Sequence, residues 1–344
     1  MAATIQAKKW IGKNPPGKIL VIRYQALGDT VITLPYLNGL KKQFPQVHID
    51  LLTRIEVSAI PKQLLIFDSV FTVQGGRKPK AQFFFSLLKL PQLLKRRYDA
   101  VIDLQNNRIT RVIRKLLLPA SWSAFDTSSP IPAGERTRRT IEALWDWKIV
   151  PDTRLAALQR SRGMELLLQS GFIPGNEIVI LNPAGFCPSR NWPLENYVAF
   201  ARSWVQHVNE RTVFVLLLMP AHSAKAKYIK AELGNLCIDL TGRADQVEAF
   251  EIVSESSLML SEDSGLMHMA WVQDIPTVAL FSSSRKDWSA PQGDRSVCLD
   301  SSDMECGPCA LEICKFNDNR CLTRYGADYV MQRARRLRLT GQIV

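Results

Sequence analysis

Lys18-Ile19-Leu20-Val21-Ile22-Arg23-Tyr24-Gln25-Ala26-Leu27-Gly28-Asp29-Thr30-Val31-Ile32-Thr33-Leu34 reads as a strand, a tight turn and the start of a helix. The apolar run over 19–23 has strand length, and Gly28 lets the backbone turn sharply after it. Asp29 is thereby left at the carboxyl end of a strand. Ligands of open α/β sheets bind at that end, and a carboxylate there can act as general base toward an incoming hydroxyl. Asp is equally a good helix cap, which would hold the helix start without any chemistry.

Working outward, strand-like and helical runs alternate. Further strands are expected over 47–52, 70–73, 100–104 and 123–125, with helices over 29–44, 82–97, 108–117 and 155–170. Gly171 is a candidate C-cap, and Ile173-Pro174-Gly175-Asn176 reads as a linker. A second series follows, with strands over 177–181, 213–218, 237–239, 258–260 and 277–281. Its helices are expected over 194–207, 223–233, 244–254 and 265–272. Such alternation predicts an α/β fold of parallel sheets covered on both faces. A chain of 344 residues is too long for one ordinary core. The expected organisation is a tail over 1–17, domains over 18–172 and 173–325, and a basic helix over 326–344 that could pack back on the first domain.

The hydrophobic share of 46% is that of a globular chain. No apolar run reaches the ~20 residues a membrane-spanning helix needs. The polar start, with Lys8, Lys9 and Lys13, lacks the apolar core of a secretory signal, so a cytoplasmic location is expected. The formal net charge of +12 favours anionic partners: nucleic acid, an anionic membrane face or a phosphorylated substrate. No helix-turn-helix, zinc-finger or RNP signature is present, so nucleic acid is not expected. A membrane surface or a phosphate-rich substrate fits better.

Two further segments carry chemistry. Ser261-Glu262-Asp263-Ser264-Gly265-Leu266-Met267-His268 follows a buried strand and opens a helix. Free N–H groups and the positive dipole end at such a start suit phosphate. Asp263 could instead be a cap and His268 a buried helix residue. Neither a Walker A loop nor a G-x-G-x-x-G fingerprint occurs, which argues against P-loop and simple dinucleotide binding. Asn182-Pro183-Ala184-Gly185 runs on through Arg190-Asn191-Trp192-Pro193 after the first strand of the second series. Small residues such as Gly185 allow close approach of a ligand to the backbone, Arg190 could pair with a diphosphate, and Trp192 would anchor the next helix.

These segments together resemble glycosyltransferase family 9, the heptosyltransferases. The resemblance is carried by Ile19–Arg23 with Ala26-Leu27-Gly28-Asp29, by Asn182-Pro183 with Arg190-Asn191-Trp192-Pro193, and by Asp263-Ser264-Gly265-Leu266-Met267-His268 with Pro276-Thr277-Val278-Ala279-Leu280-Phe281. It implies the GT-B architecture, two facing Rossmann-like doubly wound domains with a cleft between them. It also implies inverting transfer of a sugar, typically heptose from ADP-heptose, onto a lipopolysaccharide-core or related glycolipid acceptor. In that scheme Asp29 matches the catalytic base and Arg190 the cation that stabilises the leaving diphosphate. Ser264, Gly265 and Leu266 match the phosphate-holding helix start, and Asp263 and His268 match neighbouring site residues. The leaving group is an anion that cations and N–H groups can stabilise, so no metal or other cofactor is expected in catalysis. The chain departs from the family pattern at Met219–Lys225, which lacks a carboxylate, and at Ser282-Ser283-Ser284 in place of Gly-Pro-Thr.

Cys306, Cys309, Cys314 and Cys321 form C-x2-C-x4-C-x6-C, a candidate structural zinc site. The acceptor is expected on the first domain, where family acceptors with carboxylates and phosphates would meet Arg54, Arg77, Lys78, Lys80, Asn106 and Arg108. The expected workplace is the inner face of the cytoplasmic membrane. The competing functions are a family member using another nucleotide-sugar, a GT-B-like nucleotide-sugar epimerase, and a non-catalytic binder of phosphorylated glycolipid or nucleic acid.

Overall fold

In the computed structural model, which describes residues 5–157, 162–185 and 187–340, the opening apolar run forms a strand buried over its last four residues. Two compact units divide the chain, residues 1–159 and 160–344. The first holds β1 (Ala7–Lys8), β2 (Lys18–Ile22), β3 (His48–Arg54), β4 (Ser69–Val73), β5 (Ala100–Asp103) and β6 (Ser121–Ala124). Its helices are α1 (Leu27–Gln43), α2 (Ala59–Gln63), α3 (Pro79–Arg96), α4 (Arg108–Leu116) and α5 (Ala133–Glu142).

The first sheet runs in the order β1-β6-β5-β2-β3-β4. All its pairs are parallel except β1 with β6, where Ala7 faces Ser123 and Lys8 faces Trp122. The expected tail over 1–17 is therefore corrected: part of it is an edge strand. Helices α3 and α4 pack together over one sheet face, where Leu93 and Ile113 meet Leu20, Ile22, Leu52 and Val101. Helices α1 and α5 pack together as well. Helix α1 is buried almost throughout, from Thr30 to Leu40.

The second unit holds α6 (Arg162–Gln169), β7 (Glu177–Asn182), α7 (Leu194–His207), β8 (Thr212–Leu216), α8 (Ser223–Leu233), β9 (Cys237–Asp239) and α9 (Gln246–Ser254). It continues with β10 (Leu258–Glu262), α10 (Gly265–Trp271), β11 (Thr277–Leu280), α11 (Lys286–Ser289), β12 (Ser296–Leu299), α12 (Arg320–Thr323) and α13 (Ala327–Thr340). Its sheet, β12-β11-β10-β7-β8-β9, is parallel throughout. The core gathers Trp192, Tyr197, Phe200 and Trp204 against Val179, Leu181 and Phe214.

Two boundaries differ from expectation. The helix expected over 155–170 is described from Arg162, and Ala157 bridges back to Leu64; residues 158–161 lie outside the described residues. Helix α6 sits with the second unit, because it packs on α9 and Glu251 accepts the Gly163 N–H at 2.7 Å. The C-terminal helix α13 packs on α7, β11 and β12 of its own unit, inserting Val330, Met331, Ala334 and Leu337 into that core. Arg338 adds an ion pair to Glu177 at 3.2 Å.

Read from its first parallel strand, each sheet has the order 3-2-1-4-5, and the second unit adds a sixth strand. That is the doubly wound order, in which crossovers reverse direction between strands 1 and 4. The reversal falls between β2 and β5 in one unit and between β7 and β10 in the other. The crevice beyond the carboxyl ends of those two strands is where such sheets bind ligands.

Candidate functional site

Asp29 lies in the turn after β2, at the reversal point of the first sheet. It is not the cap but the third residue of α1, and its Oδ2 accepts the Ala26 N–H at 2.8 Å. The other oxygen, Oδ1, pairs with Arg23 Nη2 at 2.9 Å. Arg23 is itself buried, donates to the Leu104 carbonyl and lies 5.2 Å from the centre of the Phe125 ring. Asp29 nevertheless keeps 41% of its side chain exposed. The carboxylate is thus aimed by fixed partners on both oxygens, yet open to a solvent-borne hydroxyl.

The strand across the reversal point supports this turn. Gln105 Oε1, just after β5, accepts the N–H groups of Tyr24 and Gln25 at 2.9 and 3.0 Å. Asn106 takes a left-handed backbone, φ 46°, while Asp103 accepts its N–H at 2.7 Å. Burial pushes the Asp103 carboxyl up, against the pull of that N–H and of Arg114. Arg54, expected on the acceptor surface, is buried and bonded to Gln25 Oε1 at 2.8 Å and Glu56 Oε2 at 3.0 Å. It props the Asp29 turn from β3. Arg77, Lys78, Lys80 and Arg108 are exposed.

In the second unit the loop after β7 and the end of β10 come together at the other reversal point. Asn182 Nδ2 donates to Ser261 Oγ at 2.7 Å and Ser264 Oγ at 2.6 Å. Ser264, not Asp263, is the cap of α10, accepting the Met267 N–H. A helix start leaves its first N–H groups without intrahelical partners; here they belong to Gly265 and Leu266, which are only half-buried. Arg190 reaches back to Asp263 at 3.4 Å, so cation and helix start share one neighbourhood. His268 is buried, and its Nδ1 accepts the Trp271 indole N–H at 3.1 Å.

Glu262 was not anticipated as a site residue, and it organises the loop. Its fully buried carboxylate accepts the Gly185 N–H at 2.5 Å and the Trp192 N–H at 2.7 Å. Burial pushes its carboxyl up to about 7, against the pull of Lys225 and the two N–H groups. Lys225 Nζ stands 4.0 Å away and donates to the Pro183 carbonyl at 2.8 Å and Asn191 Oδ1 at 2.9 Å. A cation from the segment that departs from the family pattern therefore braces the Gly185–Arg190 loop. Gly185 is required: a Cβ there would lie 2.6 Å from the Arg190 carbonyl and 2.8 Å from Glu262 Oε2. Phe186, in the same loop, lies outside the described residues. The signal available in the sequence was a glutamate close behind the apolar run Leu258-Met259-Leu260, at the end of a buried strand, since buried carboxylates are rare unless they have work to do.

The second departure, Ser282-Ser283-Ser284, is buried; Ser283 Oγ meets Ser189 Oγ at 3.0 Å. That contact ties the end of β11 to the loop bearing Arg190. The four cysteines line one pocket beside it. Among the described residues, however, no group of three or more His, Cys, Asp or Glu is placed to hold a metal ion. The zinc expectation finds no support. Cys309 is exposed, and Cys314 is engaged locally: burial opposes the shift, but the N–H groups of Phe316, Asp318 and Asn319 draw its thiol below the ordinary value.

The sequence model described as Glycosyltransferase family 9 (heptosyltransferase) matches residues 132–319. Lipopolysaccharide heptosyltransferase 1 of Pseudomonas aeruginosa is 23% identical over 325 residues, covering 87% of this chain and 88% of that protein. A glycosyl transferase family 9 structure from Veillonella parvula superposes with a TM-score of 0.74 at 18% identity, covering 94% of this chain and 97% of that one. The E. coli heptosyltransferase WaaC, solved with ADP, gives a TM-score of 0.69 at 16% identity over 93% of this chain and 99% of that one. These likenesses extend to both doubly wound sheets.

Proposed function

Because the chain belongs to glycosyltransferase family 9, we propose that this transferase moves a heptosyl group from ADP-heptose onto a core sugar of a lipopolysaccharide-type glycolipid, at the inner face of the cytoplasmic membrane. The observation that carries the reading is the placement of Asp29. It is a half-exposed carboxylate at the reversal point of the first sheet, held on both oxygens. It would accept the proton of the acceptor hydroxyl as that oxygen attacks the anomeric carbon from the face opposite the leaving group. The bond to the ADP oxygen then breaks and the anomeric configuration inverts.

The second unit would hold the leaving group. Arg190 supplies a fixed positive charge, and the Ser264-capped start of α10 supplies N–H groups and its dipole end. Both act on charge that builds as the bond breaks, which is where stabilisation accelerates a reaction. No step in this scheme calls on a metal. Exposed cations of the first unit, Arg77, Lys78 and Arg108, together with half-buried Asn106, would receive the anionic groups of the acceptor.

The test is calorimetric titration of the chain with ADP, UDP, GDP and dTDP, with EDTA present. Saturable binding that favours ADP, weakened tenfold to a hundredfold in Arg190→Ala, is expected, since a hydrogen bond to a charged group contributes about 1.5–3 kcal/mol. Preference for another diphosphate would replace the donor. Absence of binding to all of them would overturn the nucleotide-sugar reading.

A further inference from the structure

Helix α3 buries one side and leaves an apolar side uncovered. Phe83 and Phe84 are 39% and 57% exposed, and Leu88 and Leu94 are 57% and 46% exposed. Phe84 and Leu88 are four residues apart, so they stand one turn above each other. Soluble surfaces carry such residues singly, and a contiguous group marks a contact site. The neighbouring helix α4, which packs on α3, extends the surface with Val112, Leu116 and, just beyond its end, Leu118, which is 86% exposed.

Charge identifies what covers this face. No Asp or Glu occurs from residue 77 to 97 or from 108 to 118, while Lys and Arg recur through both segments. Lys80 and Lys95 flank the apolar group on α3, and Lys115 is exposed on α4. None of the three has a carboxylate partner among the described residues. A second copy of the chain would bring like charges together, which opposes self-association here. A helix with exposed aromatic and leucine side chains rimmed by lysine is built to lie in the headgroup layer of an anionic bilayer. No helix among the described residues is long and apolar enough to cross one.

We propose that the exposed faces of α3 and α4 dock the first unit on an anionic phospholipid bilayer. This deepens the reading of a membrane-borne acceptor by naming the surface that meets the lipid. The opposite side of α3 is fastened to the catalytic turn: Ser86 Oγ and the Tyr24 hydroxyl are 2.8 Å apart, both buried. Docking would therefore bring the strand-end edge that bears Asp29 to the layer where a glycolipid presents its sugars.

The experiment is flotation of the full chain with vesicles of phosphatidylethanolamine containing about a quarter phosphatidylglycerol, against neutral phosphatidylcholine vesicles. The chain is expected to float with the first and not the second. Lys95→Glu/Lys115→Glu should weaken partitioning at least about twenty-five-fold, taking about fivefold for each cation lost near an anionic surface. Phe84→Ser/Leu88→Ser should weaken it roughly tenfold or more through lost apolar burial. All four side chains are exposed, and near-ultraviolet circular dichroism checks that both variants stay folded. No flotation of the parent chain, or flotation indifferent to both variants, would overturn the proposal. So would a concentration-dependent dimer abolished by Phe84→Ser/Leu88→Ser without lipid binding, which would assign the face to a second copy. Flotation uses neither donor nor acceptor, so its failure is distinct from failure of the ADP titration.

Discussion

Replacing Glu262 with Gln removes a carboxyl that titrates inside the second unit, and the consequence can be worked from its surroundings. In the folded chain burial raises this group from 4.5 to about 7. Between those values the folded state holds a proton that the unfolded state has released. The stabilisation linked to that proton is complete below pH 4.5 and disappears as pH rises through about 7. At about 1.4 kcal/mol per tenfold change in proton affinity, the window holds about 3 kcal/mol. Glutamine does not titrate, so this slope vanishes. It also turns an amide NH2 toward either the Gly185 or the Trp192 N–H, a mismatch that costs about 1–3 kcal/mol at any pH. Denaturant unfolding from pH 5 to pH 8 should therefore find the parent chain ahead at the acid end and the gap closing toward the neutral end. Parallel curves for parent and Glu262→Gln would refute the reasoning, because they would mean that Glu262 folds without taking up a proton.

Asp29→Asn keeps an oxygen for the Ala26 N–H but cannot accept a proton; kcat for transfer should fall about 10²–10⁴-fold with donor affinity unchanged, read by steady-state assay and calorimetry. Gly185→Ala places a methyl 2.6 Å from the Arg190 carbonyl and 2.8 Å from Asn191 Oδ1. The Arg190 carbonyl is backbone and cannot yield without moving the loop, so a loss of about 1–3 kcal/mol in unfolding free energy and weaker ADP binding are expected together.

What could be read before folding was what depends on local pattern. The parallel strands announce themselves as apolar runs, and Gly28-Asp29 and Ser264-Gly265 mark strand-to-helix turns. The turns were thus visible, but that they lie at the reversal points depends on strand order, which only the folded sheets reveal. The elements that escaped notice lack pattern: β1 is two residues of a polar segment, β12 is four residues, and α5 opens Ala-Gly-Glu-Arg with little apolar periodicity. Arg54 illustrates a second limit. A lone arginine after a strand suggests an acceptor contact, but its burial is decided by Gln25, distant in sequence and adjacent in space. Glu262 and Lys225 show the same limit in the second unit, where a charge pair formed across 37 residues of chain cannot be inferred from either segment alone. The cysteines show the converse: spacing that suits a metal gathers all four along one pocket, yet among the described residues no group of three or more is placed to hold an ion.

The short strand β1 also bears on how the protein can be handled. It occupies the outer margin of β6, and the segment is tied down by Ala124 N–H to the Gln6 carbonyl at 2.9 Å and by Trp10 N–H to the Leu144 carbonyl at 2.7 Å. Trimming the chain to the first long strand would strip that cover and leave the backbone of β6 open to pairing with any extended peptide nearby, the usual route to precipitation. The leading residues act as a selvedge on the sheet, and a shortened recombinant product would fray along that border first.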